Sequence, residues 1–182
     1  MTMMTTCNCC ADLLDGRLSR RGFMQGAAAG AATLSLGAFP AFAAEGKYEA
    51  MALSCIDPRT QEGVRKNMVN RHLLGKYSQV ILAGGAIAVV APAFNDWHKA
   101  FWDNLAASVQ LHSIKEVIVL NHRDCGAAKI AYGPDAIKTP DVETKLHQTV
   151  LADFRKQCNE KQPKLKVLTG LISLNGKVEM FA

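Results

Sequence analysis

Apolar positions in this chain change period several times. Residues 48–55 form a short apolar run that stops at Asp57-Pro58, and because proline cannot donate to a sheet ladder, a strand is predicted to end there. Residues 60–74 carry Val64, Met68 and Leu73 among polar neighbours, the spacing of a helix face, with Gly75 as the stop. Residues 77–82 read as a second strand leading into Ala83-Gly84-Gly85-Ala86, where the backbone can turn sharply or approach a ligand closely. Trp97, Phe101 and Leu105 fall four apart in a helix predicted to be capped by Asn95, and 116–120 is an apolar third strand running into His122. A short helix is predicted to begin at Cys125. A longer one follows over 141–160, with Val142, Leu146, Val150, Phe154 and Cys158 at four-residue steps. The chain closes with a strand over 166–174, an Asn175-Gly176 turn and a partner strand over 177–181.

Strands alternating with helices predict an α/β fold: a mostly parallel sheet with flanking helices and an antiparallel edge strand at the carboxyl end. In such sheets ligands bind beyond the carboxyl ends of the strands, where the strand order reverses. Cys55 with Asp57 and Arg59, Gly84 with Gly85, and His122 with Cys125 all stand just after predicted strands. Three separate stretches therefore point at one crevice.

The first 43 residues follow a different pattern. Ser19-Arg20-Arg21-Gly22-Phe23 precedes an uncharged, Ala- and Gly-rich run from Gly26 to Phe42, ending in Ala41-Phe42-Ala43. That order is a charged region, an apolar region and a small-residue cleavage site, and the paired arginines resemble a twin-arginine export signal. The reading divides the chain into a signal over 1–43 and a single domain over 44–182, with export machinery as a partner and the periplasm or another exported site as destination. A membrane anchor is the competing reading. The run barely reaches the roughly 20 residues a span needs, and its glycines and Pro40 make it a weak one.

Composition narrows the class. With 49% hydrophobic and 20% charged residues the chain is globular, and a net charge of +5 without basic runs interleaved with aromatics argues against nucleic acid as a partner. Of six cysteines, Cys7, Cys9 and Cys10 lie in the signal; Cys55, Cys125 and Cys158 remain. Thiols that stay free in an oxidising compartment need a reason to persist, and metal ligation is one. Two thiolates and one imidazole, Cys55, Cys125 and His122, form a soft three-ligand set that leaves the fourth position of tetrahedral zinc open. Cys125 opens a predicted helix, which favours its thiolate. Cys158 continues an apolar stripe and reads as a buried core residue. His72, His98, His112 and His147 fall on predicted helices and read as solvated or structural. Arg123 and Lys129 read as local charge. A cysteine phosphatase would need Arg six positions after Cys125, where Ala131 stands, and the mature chain lacks the paired cysteines of a dithiol redox protein.

Cys55-Ile56-Asp57-Pro58-Arg59 followed by His122-Arg123-Asp124-Cys125-Gly126 resembles the β-class carbonic anhydrases, whose pattern is Cys-x-Asp-x-Arg and then His-x-x-Cys-Gly. The resemblance covers roughly 51–129, and the closing strands are similar too. It implies one zinc per chain held by Cys55, His122 and Cys125, with Asp57 and Arg59 as a catalytic dyad. Gly84, Gly85 and Gly126 would border the substrate, carbon dioxide or bicarbonate, and a homodimer or higher homo-oligomer would be the assembled form. The activity implied is that of a zinc lyase: zinc lowers the pKa of water from about 16 to about 7, Asp57 orients the nucleophile, and Arg59 keeps Asp57 ionised and turned away from the metal. Pro58 stands where the family usually has Ser, and Ala83 to Ala86 replaces a loop that often carries Asn. Two alternatives share the site: hydrolysis of carbonyl sulfide or carbon disulfide, and a non-catalytic zinc-binding protein.

Overall fold

The computed structural model describes residues 48–181, so the signal over 1–43 and Cys7, Cys9 and Cys10 lie outside the described residues. Five strands form one sheet: β1 (Ala50–Ser54), β2 (Tyr77–Ile81), β3 (Glu116–His122), β4 (Lys166–Ile172) and β5 (Val178–Phe181), in the order β2-β1-β3-β4-β5. Neighbours are parallel except β4 and β5, which pair antiparallel through the Asn175-Gly176 turn. This is the predicted α/β architecture.

The chain leaves β1, crosses through helix α1 (Gln61–Asn70) to β2 at one edge, and then returns past β1 to β3. The return runs through α2 (Ile87–Val90) and α3 (Asn95–His112). The reversal places the switch point between β1 and β3. Their register is level, Ser54 opposite Leu120, so Cys55 and His122 emerge side by side at the carboxyl edge. Helices α4 (Gly126–Tyr132) and α5 (Pro140–Lys161) complete the crossover from β3 to β4.

Alternation along β1 and β3 gives the sheet two buried faces, which is why these strands read as continuous apolar runs. Met51, Leu53, Val117 and Val119 face α2, α3 and α5, where Phe101, Leu105, Val150 and Phe154 pack. Ala50, Ala52, Ile118 and Leu120 face Val64 and Met68 of α1. The small residues on that face let α1 come close: a Cβ on Gly63 would stand 2.6 Å from the Ile172 side chain. Cys158 is fully buried, as the sequence predicts, and burial pushes its thiol up to about 11. Among the described residues no helix is long and apolar enough to cross a membrane.

Three local expectations are corrected. Helix α1 ends at Asn70 rather than at Gly75, because His72 adopts φ 58° and the Leu73 amide bonds back to the Met68 carbonyl, closing the helix with a left-handed residue that is usually glycine. Asn95 is the first helical residue of α3, preceded by Phe94, and its side chain caps nothing. Phe101 and Leu105 of α3 are buried, whereas Trp97, which reads with Phe101 as a core or dimer-interface residue, is exposed. On α5 the buried face runs through Glu143, His147, Val150, Leu151, Phe154 and Cys158 rather than through Val142 and Leu146, which are half-buried, so His147 takes the structural one of its two readings.

Candidate metal centre

Cys55, His122 and Cys125 converge at the switch point. Their ligating atoms all lie within 4.8 Å of one another, and all three residues are buried. His122 is the last residue of β3. Its Nδ1 lies 2.8 Å from the Arg123 carbonyl, which can only accept, so Nδ1 donates and Nε2 is the nitrogen that faces the two sulfurs. Nε2 is buried without a hydrogen-bond partner. A buried imidazole nitrogen left bare beside two thiols is costly unless something completes it. A soft divalent cation fits this donor set, and the arrangement matches three protein ligands of a zinc site with a fourth position open.

The two sulfurs have unequal settings. The hydrogen bond from Cys125 does most to favour the Cys55 thiolate; burial opposes it, while His122 and the Gly84 amide, 3.1 Å from Sγ, add to it, and the thiol is held near about 4. Cys125 is pushed up, first by its hydrogen bond to Cys55 and then by burial. Without a cation the pair keeps one proton, and binding must displace it. Within the pair, ionisation is drawn toward Cys55 by the hydrogen bond from Cys125. The Ala128 and Ala127 amides do act on the Cys125 sulfur in the expected sense, but they are outweighed. Burial disfavours charge on His122, yet the Cys55 sulfur and the Arg123 carbonyl outweigh it and raise its pKa.

Asp57 and Arg59 border this cluster on a single 3-10 turn, Pro58–Thr60, which Pro58 opens. Arg59 grips the carboxylate through Nε at 3.0 and 3.1 Å and Nη2 at 2.7 Å, and its backbone amide donates to Oδ1 at 2.9 Å. These contacts, led by the Arg59 side chain, hold Asp57 down to about 2. Oδ2 stands 3.9 Å from His122 Nε2, so the carboxylate faces the ligand set.

The glycines read as bordering a substrate have distinct settings. Gly84 and Gly85 have φ values of +93° and +58°, and a Cβ on Gly84 would stand 2.9 Å from that of Ala127. Their loop is a close-packed backbone turn whose amide is aimed at Cys55. Gly126 is exposed, with open space beside its α-carbon.

Several contributors escape the sequence pattern. Asp124 accepts from Arg59 Nη1 at 3.0 Å and Lys129 Nζ at 3.1 Å, tying the two motifs together. Asp124 itself sits at φ 56°, and its amide is held by the buried Glu143 carboxylate, which also takes Arg123 Nη1 at 3.1 Å. Arg123 and Lys129, read as local charge, each pair with a neighbouring carboxylate. Asn121 and His147, both fully buried, pair across β3 and α5.

His147 yields a pH expectation. Burial first, then the charges of His122 and Arg123, hold it down to about 4, against an ordinary value of 6.5. The unfolded chain therefore binds this proton more readily, so the stability contributed is complete above pH about 6.5 and is lost as pH falls toward 4. The urea midpoint of the wild type is expected to drop further between pH 7 and pH 5 than that of His147→Gln. Equal drops would contradict this.

Comparison with known proteins follows the same lines. The family model described as "Putative carbonic anhydrase" matches residues 45–180. An uncharacterized protein of Rickettsia conorii is 35% identical over 129 residues, covering 71% of this chain and 69% of that protein. Among solved structures, the β-carbonic anhydrase CafA of Aspergillus fumigatus aligns with TM-score 0.52 and 14% identity, over 88% of this chain and 86% of that one. A Coccomyxa β-carbonic anhydrase aligns with TM-score 0.50 and 15% identity, over 88% and 82%. At such identity the likeness is one of fold.

Proposed function

The chain belongs to the family described as "Putative carbonic anhydrase", and from that premise we propose that it binds one zinc ion and reversibly hydrates carbon dioxide to bicarbonate. The observation that carries the reading is the buried Cys55, His122 and Cys125 cluster with an ionised, arginine-held carboxylate on its border. Cys55 and Cys125 would hold the ion as thiolates and His122 through Nε2. Bound there, zinc supplies the Lewis acidity that lets water ionise near neutral pH.

The remaining steps belong to the chain. Asp57 is an acceptor without a proton to give, so it selects a partner that donates: the O–H of the attacking nucleophile or of bicarbonate. That hydrogen bond aims a lone pair at the carbon of carbon dioxide. Arg59 fixes the carboxylate plane by its two-pronged grip, and Asp124 in turn fixes Arg59. Gly126, exposed and adjacent to Cys125, is the glycine this reading assigns to the substrate.

Carbonyl sulfide and carbon disulfide offer the same electrophilic carbon. The test is therefore a parallel assay of the zinc-loaded chain on all three. Carbon dioxide hydration is expected to dominate. Turnover of a sulfur substrate alone would move the reading to that hydrolase, and no turnover at all would leave a zinc-binding protein without catalysis.

Two further features belong to this proposal. Ile56, Ile81 and Trp97 are exposed around an apolar groove of about 320 Å³, also lined by Leu82 and Ala83 next to the metal cluster. A second copy of the chain would cover it, giving a homodimer or larger homo-oligomer. Light scattering is expected to return at least twice the monomer mass, and Ile56→Asp to lower it; a wild-type monomer at tens of micromolar would count against the assembly. Export is proposed from the arginine pair, and the family match begins at residue 45, just past Ala43. Replacing Arg20 and Arg21 together with Lys is expected to leave the signal uncleaved and the protein in the cytoplasm. Normal export of that variant would point to another route.

A further inference from the structure

We infer that Asn121 and His147 are positioning residues for the metal site: together they fix the Ala83–Ala86 loop so that the Gly84 amide stays on the Cys55 sulfur. The inference rests on the zinc-site reading above.

The contacts form an unbroken path. His147 Nδ1 lies 3.1 Å from the Asn121 side-chain nitrogen, and both residues are fully buried. An amide nitrogen only donates, so Nδ1 accepts and the imidazole carries its proton on Nε2, which has no partner. The orientation of the Asn121 amide is fixed independently by the Ala86 N–H, which needs an acceptor. With its nitrogen committed to His147, its oxygen faces the loop, where it accepts from the Ala86 amide at 2.9 Å. Gly85 passes so close that a Cβ there would stand 2.9 Å from the same oxygen. Two residues before Ala86, at φ +93°, Gly84 donates to Cys55 Sγ at 3.1 Å.

Reversing the Asn121 amide would set two donors, its NH2 group and the Ala86 N–H, against each other. The Ala86 N–H, which can only donate, prevents that, and the His147 lone pair takes the NH2 group left on the other side. A loop released at Ala86 no longer holds the Gly84 amide at Cys55. An N–H···S bond draws electron density from a thiolate and fixes its direction, so its loss alters how the sulfur donates to a metal; groups that orient ligands in this way are worth about 10- to 100-fold in metal affinity. The pair touches neither substrate nor metal and acts only through the loop.

The experiment compares full-length wild type, Asn121→Leu, His147→Leu and His147→Gln after loading with cobalt(II) in place of zinc. Three readouts are taken: the energy of the thiolate-to-cobalt charge-transfer band, zinc affinity by chelator competition, and the thermal midpoint. Asn121→Leu and His147→Leu are expected to shift the band and lower zinc affinity by about 10-fold or more. His147→Gln is expected to restore both, because its side-chain oxygen can accept from Asn121. A change in thermal midpoint alone is what a merely structural role would give, and an unmoved band with unchanged affinity in the folded Leu variants overturns the inference. If Asn121→Leu fails to fold, the two His147 variants carry the comparison. A wild type that takes up no cobalt overturns the zinc reading and this inference with it, whereas normal cobalt binding with unmoved variants overturns this inference alone.

Discussion

Cys55→Ser, His122→Ala and Cys125→Ser are each expected to lose most of the bound zinc and, with it, hydration above background. The three ligating atoms are buried and converge within 4.8 Å, and the nearest carboxylate, Asp57, is held by Arg59, which stays in place in these variants. Removing one leaves two protein ligands on an ion that needs three to hold it against water. Groups that merely orient ligands are worth about 10- to 100-fold in affinity, and loss of a ligand itself should exceed that. Metal analysis after dialysis checks the expectation, from about one zinc per chain in the wild type to a small fraction in each variant. Full zinc in all three would remove Cys55, His122 and Cys125 from the site.

The dyad should separate catalysis from metal binding. Asp57→Asn keeps the size of the side chain but gives it a donor and removes its charge, so zinc content should stay near one per chain. The hydration rate should fall by roughly 10- to 1,000-fold, the scale of losing one positioned polar group. Arg59→Ala should cost a similar amount by a different route. Arg59 supplies every strong side-chain contact to Asp57, and without it the carboxylate, already 3.9 Å from His122 Nε2, is free to turn onto the ligand cluster. Its pKa would then rise from about 2 toward the ordinary carboxylate range, yet it would remain ionised above pH 6. Hydroxide becomes scarcer as pH falls, so the carboxylate competes better and the Arg59→Ala defect should deepen from pH 8.5 to pH 6.5. Zinc content together with the pH dependence of the rate reads both variants. An Asp57→Asn protein that is fully loaded and fully active would deny Asp57 its role.

The convergence of Cys55, His122 and Cys125 beside Asp57 and Arg59 was legible because each stands next to a change of pattern: an apolar strand ends and a cysteine, histidine or aspartate follows at once. Level register between β1 and β3 then brings those strand ends together without further information. The residues that support the site were hidden for the converse reason. Glu143 and His147 lie in the first half of α5, where the four-residue stripe through Val142 and Leu146 reads as the buried face. The true buried face is rotated from it, because 3.6 residues per turn carries a strict four-residue stripe slowly around the helix. A carboxylate and an imidazole at those positions look outward until their partners are known. Those partners, the Asp124 amide, Arg123 and Asn121, lie about twenty residues or more away on β3 and the loop after it. The unequal settings of the two thiols were hidden too, since they depend first on the hydrogen bond between Cys125 and Cys55, 70 positions apart in the chain, and only then on contacts such as the Gly84 amide. In helix α1, Gly75 read as the stop, but His72 supplied the left-handed residue first.

The central claim, that this cluster holds a zinc used for hydrating carbon dioxide, is tested most directly by measuring zinc content and hydration rate on the same preparation from pH 7 to pH 9. The account requires about one zinc per chain and a rate that rises with pH through a midpoint of roughly 7 to 8, where water activated by zinc ionises. A fully zinc-loaded chain that hydrates no carbon dioxide anywhere in that range would contradict it.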